Sequence, residues 1–138
     1  MLTKPKKQTK LSTLEGYAWT EFSKFIRLRD CLKTTDTTTH GRCYTCGAYK
    51  EFSELDAGHY IKSTHKQIKF DERNVHAQCQ KCNRFEGGQE AVYTLKMLDE
   101  YGREVIDELM SKKGSYKFTR EELIELRKKY KQKGGQNE

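Results

Sequence analysis

Two Cys-x-x-Cys pairs constrain this chain more than any other feature. Cys43-Tyr44-Thr45-Cys46 and Cys79-Gln80-Lys81-Cys82 each bring two thiols into one short turn. A two-residue gap lets a turn occupy two corners of a tetrahedron, the geometry that zinc adopts. Four thiolates close the coordination shell and leave no position for water or substrate, so an ion held there is structural. The expected cofactor is therefore one structural Zn²⁺ on Cys43, Cys46, Cys79 and Cys82. Gly47 follows the first pair and permits the tight reversal. Cys31 stands apart and reads as a small apolar residue rather than a ligand.

The composition agrees with a fold that needs a staple. Hydrophobic residues make up 34% and charged residues 34% of 138. A core this modest gains from a bound metal. There is no apolar run long enough to cross a bilayer. The start, Met1-Leu2-Thr3-Lys4-Pro5-Lys6-Lys7, leads into polar residues and not into a signal-peptide core. These features predict a cytoplasmic protein with no membrane partner. In that compartment thiols stay reduced, and paired cysteines favour metal over disulfide. The net charge of +7 favours a polyanionic partner, nucleic acid first among them.

Along the chain, residues 1–10 read as a basic flexible arm, and 11–138 as a single domain. Leu14, Ala18, Phe22, Phe25 and Ile26 repeat at helical spacing, so residues 11–32 are expected to form an N-terminal helix, broken by the threonines before His40. Residues 41–88 hold the zinc ligands, with strands expected between Phe52 and Ile61 and a turn or bulge near Ala57-Gly58. Residues 89–133 read as C-terminal helices. The first of these places Val92, Leu95 and Leu98 on one face, with Met97 beside it. Thr119 to Glu122 form a capping box for the last.

The segment enclosed by the cysteine pairs carries residues suited to phosphodiester hydrolysis. That reaction needs a base for water, a group that orients the base, and a hard cation at the leaving oxygen. His59 suits the base, since a neutral imidazole accepts a proton near neutral pH. Asn74 suits the orienting role, directly or through backbone hydrogen bonds. Asp56 and Asn83 offer the oxygen ligands that magnesium prefers. The four candidate catalytic residues are thus His59, Asn74, Asp56 and Asn83.

These residues resemble a known family. A Cys-x-x-Cys turn, a strand histidine, an asparagine before a second Cys-x-x-Cys and a metal ligand directly after it are similar to the HNH, or ββα-metal, nucleases. The last position is Asn83 and not histidine, a feature shared with phage endonuclease VII. The chain more closely resembles the phage NinG (Rap) family of recombination endonucleases. The likeness rests on Phe25-Ile26-Arg27, Cys43-x-x-Cys46-Gly47, Asp56-Ala57-Gly58-His59-Tyr60, Phe70-x-Glu72-Arg73-Asn74-x-His76-x-Gln78-Cys79-x-x-Cys82-Asn83 and Gly88.

The resemblance implies an α+β fold: a zinc-bound ββα-metal (HNH-like) nuclease core, residues 41–88, flanked by N- and C-terminal helices. It implies a phage-encoded hydrolase that cleaves branched DNA, such as Holliday junctions and D-loops, with Mg²⁺ or Mn²⁺ in the bacterial host cell. Many HNH proteins place a metal-binding acid immediately before the base histidine. Here Gly58 holds that place, and a bulge at Ala57-Gly58 would bring Asp56 and His59 to one face. Lys62, Lys66, Lys69, Arg73, His76 and Arg84 are the expected DNA contacts. Cutting both strands of a junction calls for two active sites, so a homodimer is expected, with the apolar faces of the first and last helices as candidate interfaces. The rival reading is a non-catalytic zinc-finger DNA-binding module. It accounts for the charge and the cysteines but gives Asp56, His59, Asn74 and Asn83 no joint purpose.

Overall fold

The computed structural model describes residues 8–136. Most of the expected basic arm, residues 1–7, lies outside the described residues. Helix α1 (Leu11–Thr35) runs past Leu32 because Thr34 and Thr35 do not break it. Their hydroxyls bond back to the Asp30 and Cys31 carbonyls, so the threonines are satisfied inside the helix. Asp36 ends it in a left-handed conformation and returns its N–H to the Leu32 carbonyl.

Four short strands follow in two antiparallel pairs. β1 (His40–Arg42) pairs with β2 (Tyr49–Glu51) around the first cysteine turn. β3 (Leu55–His59) pairs with β4 (Val75–Cys79) in unbroken register from Leu55↔Cys79 to His59↔Val75. The expected bulge at Ala57-Gly58 is absent.

β4 is buried along its whole length. Its outer edge would leave backbone groups unpaired, and α1 satisfies them. The Asp30 carboxylate accepts the Ala77 N–H at 2.8 Å, and Arg29 donates to the Val75 and Glu72 carbonyls at 2.8 Å each. The Tyr44 N–H donates to the Ala77 carbonyl at 2.8 Å. An ion pair on a helix thus does the work of a third strand.

After β4 the chain forms a π-helical turn (Lys81–Phe85) and three helices: α2 (Glu90–Tyr101), α3 (Arg103–Ser111) and α4 (Arg120–Gln136). The Thr119–Glu122 capping box forms in both directions. α4 lies along α1. Tyr130 stands edge-on to Phe22 at 4.7 Å, and both pack with Phe25, Ile26, Ala57 and Val75. The faces expected as a dimer interface are therefore spent on each other inside one chain.

A second core joins Ile61 and Ile68 to Tyr93, Met97, Ile106 and Leu109. Here α2 turns a different face inward from the one its aliphatic residues suggest. Leu95 is 63% exposed, while Tyr93 and Met97 are buried. Tyr93 decides this, because its hydroxyl finds two buried partners, His76 and the Gly58 carbonyl.

Candidate functional site

The cysteine turns converge. The four Sγ atoms lie within 4.8 Å of one another, and Cys46 and Cys79 are 3.8 Å apart. Zinc–sulfur arms of about 2.3 Å give tetrahedral edges of about 3.8 Å, so the cluster fits one zinc ion. Gly47 closes the first turn with φ +76° and donates its N–H to the Cys43 carbonyl. Cys46 N–H and Cys82 N–H point to the sulfurs of Cys43 and Cys79 at 3.5 Å. Burial pushes the Cys43 thiol up, but backbone and Thr45 hydrogen bonds outweigh it and bring the value down to about 6. Burial and neighbouring thiols push Cys82 up to about 12. Thiols so close do not all ionise unless a cation sits among them. Cys31 is buried apart from the cluster beside Leu55 and Ala77, and burial raises it to about 11, as befits an inert thiol.

Directly after the second turn, Asn83 and Arg84 reach back to β3. Asn83 Nδ2 donates to Asp56 Oδ2 at 3.1 Å, and Arg84 donates to both Asp56 oxygens at 2.8 and 2.9 Å. Burial pushes the Asp56 carboxyl up, but hydrogen bonds from Arg84 and Asn83 prevail and hold it below the ordinary carboxylate range. Asp56 and Asn83 are thus neighbours, as the sequence suggests, and Arg84 is the cation that now neutralises the pair.

His59 lies on the other face of β3, since the regular register alternates side chains. Its ring stacks on Trp19 of α1, with centroids 4.9 Å apart and planes 20° from parallel. Its Nε2 donates to the Lys69 carbonyl at 3.0 Å, which leaves Nδ1 as the acceptor nitrogen. Burial lowers its pKa to about 4, so the imidazole is neutral at physiological pH. Trp19 also lines a groove of about 370 Å³ with Ser23, Arg27, Asp56 and Asn83, so one tryptophan touches both halves of the candidate site.

Asn74 is fully buried and does not touch His59. Its side chain accepts the Ile61 N–H at 2.8 Å and donates to the Ile61 carbonyl at 2.9 Å and the Ile68 carbonyl at 3.4 Å. It ties the end of β3 to the loop whose Lys69 carbonyl holds His59. Its connection to His59 runs through backbone.

His76 is not a DNA contact. It is 1% exposed and stacks on Tyr44 at 3.9 Å. The Tyr93 hydroxyl spends its proton on the Gly58 carbonyl at 2.7 Å, so it accepts from His76 Nδ1 at 3.0 Å. His76 Nε2 then accepts the Tyr101 hydroxyl at 2.8 Å. Burial, followed by the nearby Arg29 and Lys33 charges, lowers this imidazole to about 2, which keeps it neutral. The chain of hydrogen bonds braces β3 from behind.

The remaining expected DNA contacts are placed variously. Lys62 is exposed. Lys66 and Lys69 pair with Glu15, Arg73 with Asp71 and Glu108, and Arg84 with Asp56.

Three residues that matter here carried little sequence signal. Trp19 stood beside a helical stripe. Tyr93 was overshadowed by its aliphatic neighbours. Gln78 is fully buried, donating to Thr45 Oγ1 at 3.1 Å and the Gly88 carbonyl at 3.0 Å. Its Oε1 is buried without a hydrogen-bond partner among the described residues. A Cβ on Gly58 would sit 1.9 Å from that oxygen, which explains why glycine precedes His59. The signal that could have flagged Gln78 is a polar residue on a strand otherwise built of buried positions.

Fold and site together define a small α+β domain with a cysteine cluster able to hold a metal ion and a polar groove beside it. The chain belongs to the NinG family: the family model described as "Bacteriophage Lambda NinG protein" matches residues 2–137. It is 36% identical over 92 residues to "Protein ninG" of Escherichia phage 933W, covering 66% of this chain and 45% of that protein. It is 34% identical over 92 residues to "Protein ninG" of Escherichia phage lambda, with the same coverage of 66% and 45%. The counterpart in Salmonella phage P22 is also 34% identical over 92 residues. The chain thus spans 45% of the length of these curated relatives. No solved structure matches it significantly. Among the described residues, no helix is long and apolar enough to cross a membrane.

Proposed function

We propose that this protein is a metal-dependent, structure-specific endodeoxyribonuclease with a ββα-metal (HNH-like) core, which cleaves branched DNA such as Holliday junctions and D-loops in phage recombination. The observation that carries the reading is His59: a neutral imidazole of fixed tautomer, on the same strand as a carboxylate–amide pair and three residues from its carboxylate. A DNA-binding finger has no need of a neutral, tautomer-fixed histidine together with a carboxylate–amide pair.

In this reading His59 Nδ1 takes the proton of the attacking water. Asn74 and the Lys69 carbonyl keep the ring turned to do so. The oxygen donors of Asp56 and Asn83 fit a hard cation that retains several waters. When bound, Mg²⁺ or Mn²⁺ would stabilise the departing 3′ oxygen. Asp56 must leave Arg84 and Asn83 must turn its amide oxygen inward to bind it; the cation replaces one positive neighbour of the carboxylate with another. Attack and departure lie on opposite sides of phosphorus, so base and cation should not share a point. The three strand steps from Asp56 to His59 span about 10 Å, room for one phosphodiester between them. Two active sites in a homodimer would serve both strands of a junction, and the interface would lie elsewhere than on α1 and α4.

The test is cleavage of a four-way junction with Mg²⁺ by wild type and His59→Ala. Loss of a general base is expected to cost roughly 10²–10⁴-fold in rate. A wild type that binds and never cuts would return the protein to the zinc-finger reading. A mutant as fast as wild type would remove His59 from the mechanism.

A further inference from the structure

The groove holds one cation that the mechanism leaves unused. Arg27 projects from the same face of α1 as Ser23 and Trp19 and lines the groove opposite Asp56 and Asn83. Its guanidinium lies 4.3 Å over the Phe52 ring, and its Nε donates to the Ser23 carbonyl at 3.1 Å. Among the described residues no carboxylate lies within ion-pair distance of it, and its two terminal nitrogens make no hydrogen bond. Lys66, Lys69, Arg73 and Arg84 each have a carboxylate partner. Burial lowers the Arg27 pKa, and the attraction of Asp56 only partly offsets this. A half-buried guanidinium held by its stem and ring stacking, with its fork free, is arranged to receive a planar pair of oxygens from outside.

We propose that Arg27, on the helix outside the zinc-bound core, is a substrate-binding residue that grips non-bridging oxygens of a DNA phosphate in the groove beside Asp56 and Asn83. This rests on the nuclease reading for the identity of the groove, but the contact itself requires only that DNA enters it. A phosphodiester is the anion expected there because the chain is strongly basic and Trp19 supplies an adjacent flat ring. α1 would then be part of the active site as well as its scaffold. Phe52 and the Ser23 carbonyl would hold the guanidinium ready before the substrate arrives.

The experiment measures binding of the full chain to a four-way junction by fluorescence anisotropy, without added divalent cation, across a salt series. Arg27→Gln removes the charge while keeping a polar amide on a shorter stem. It is expected to weaken binding about tenfold and to lower the salt slope by about 0.9, the value of one phosphate contact. Arg27→Lys should retain the slope. Cleavage with Mn²⁺ is followed in parallel. If wild type cuts, a neutral methylphosphonate at the cleaved position should slow wild type but slow Arg27→Gln no further. Arg27→Gln with wild-type affinity and slope, while folded and zinc-loaded, overturns the proposal even if cleavage is robust. Weakened binding and a reduced slope support it even if no cleavage occurs, in which case the nuclease reading fails alone. Should Arg27→Gln not fold, Ser23→Glu supplies an internal carboxylate one helical turn away; unchanged affinity and slope in that variant also overturn the proposal.

Discussion

The cysteine cluster and the polar groove share one element, the turn after β4 that carries both Cys82 and Asn83, yet they differ in how complete they are. In the cluster, four sulfurs already lie at the spacing a zinc ion requires. In the groove, Asp56 is neutralised by Arg84 and Asn83 turns its amide nitrogen inward, while His59 lies outside it on the opposite face of the strand. The cluster is a finished part of the fold. The groove is a set of groups that satisfy one another, the Asp56 carboxylate accepting from both Asn83 and Arg84.

The largest effect should come from breaking the finished half. Cys79→Ser, or exhaustive chelation, should remove zinc and unfold residues around both turns, since such sites contribute on the order of 10 kcal/mol to folding. Loss of far-ultraviolet dichroism together with bound zinc is the expected result. A folded, metal-free protein would show that the cluster is only a thiol group within a self-sufficient core. The variants His59→Ala and Arg84→Ala, away from the cysteines, should keep their zinc.

Gly58→Ala tests the seam between the halves. The added Cβ meets Gln78 Oε1, whose amide also holds Thr45 of the first cysteine turn and the Gly88 carbonyl. Displacing that amide should cost about 1–3 kcal/mol in urea unfolding. A neutral result would mean that Gln78 moves aside freely.

A smaller effect is set by Trp19. Burial holds His59 near pKa about 4 against an ordinary 6.5. Between those values the unfolded chain binds a proton that the native chain refuses. Stability from this group is therefore full above pH 6.5 and falls as pH drops toward 4. Trp19→Ala should expose the ring, flatten that dependence relative to wild type, and move any acid limb of cleavage up toward 6.5. An acid limb already near 6.5 in the wild type would contradict the buried environment of His59.

The smallest effect expected is that of Arg84→Ala. On the proposed nuclease reading its guanidinium competes with the divalent cation for Asp56, so its removal should lower the Mg²⁺ or Mn²⁺ concentration for half-maximal cleavage a few-fold. A higher requirement would assign Arg84 to the substrate and not to the idle carboxylate.

How much of this was legible beforehand varies by element. The helix over α1, the Thr119 cap and the glycine turn at Gly47 follow local rules, and the structure contains all three. The inward face of α2 does not, because aliphatic spacing ranks Leu95 above Tyr93, and only partners on β3 and β4 reverse that order. His76 looked like a polar strand residue fit for DNA; two tyrosine hydroxyls and a stacked ring make it a core residue. The bulge expected at Ala57-Gly58 came from the glycine within the strand and from requiring Asp56 and His59 on one face. Continuous pairing with β4 forbids it, and the glycine is explained by Gln78 across the strand.

The sequence by itself determined the cysteine cluster, because each pair of ligands is fixed by the short turn that carries it and only two turns need to meet. It also determined the family and put Asp56, His59, Asn74 and Asn83 forward as candidates. Only the tertiary structure decided which of those residues face one another. Asp56, Asn83, His59, Trp19 and Arg27 come from three separate segments, α1, β3 and the turn after β4, and their distances depend on strand register and helix packing, which no local spacing encodes.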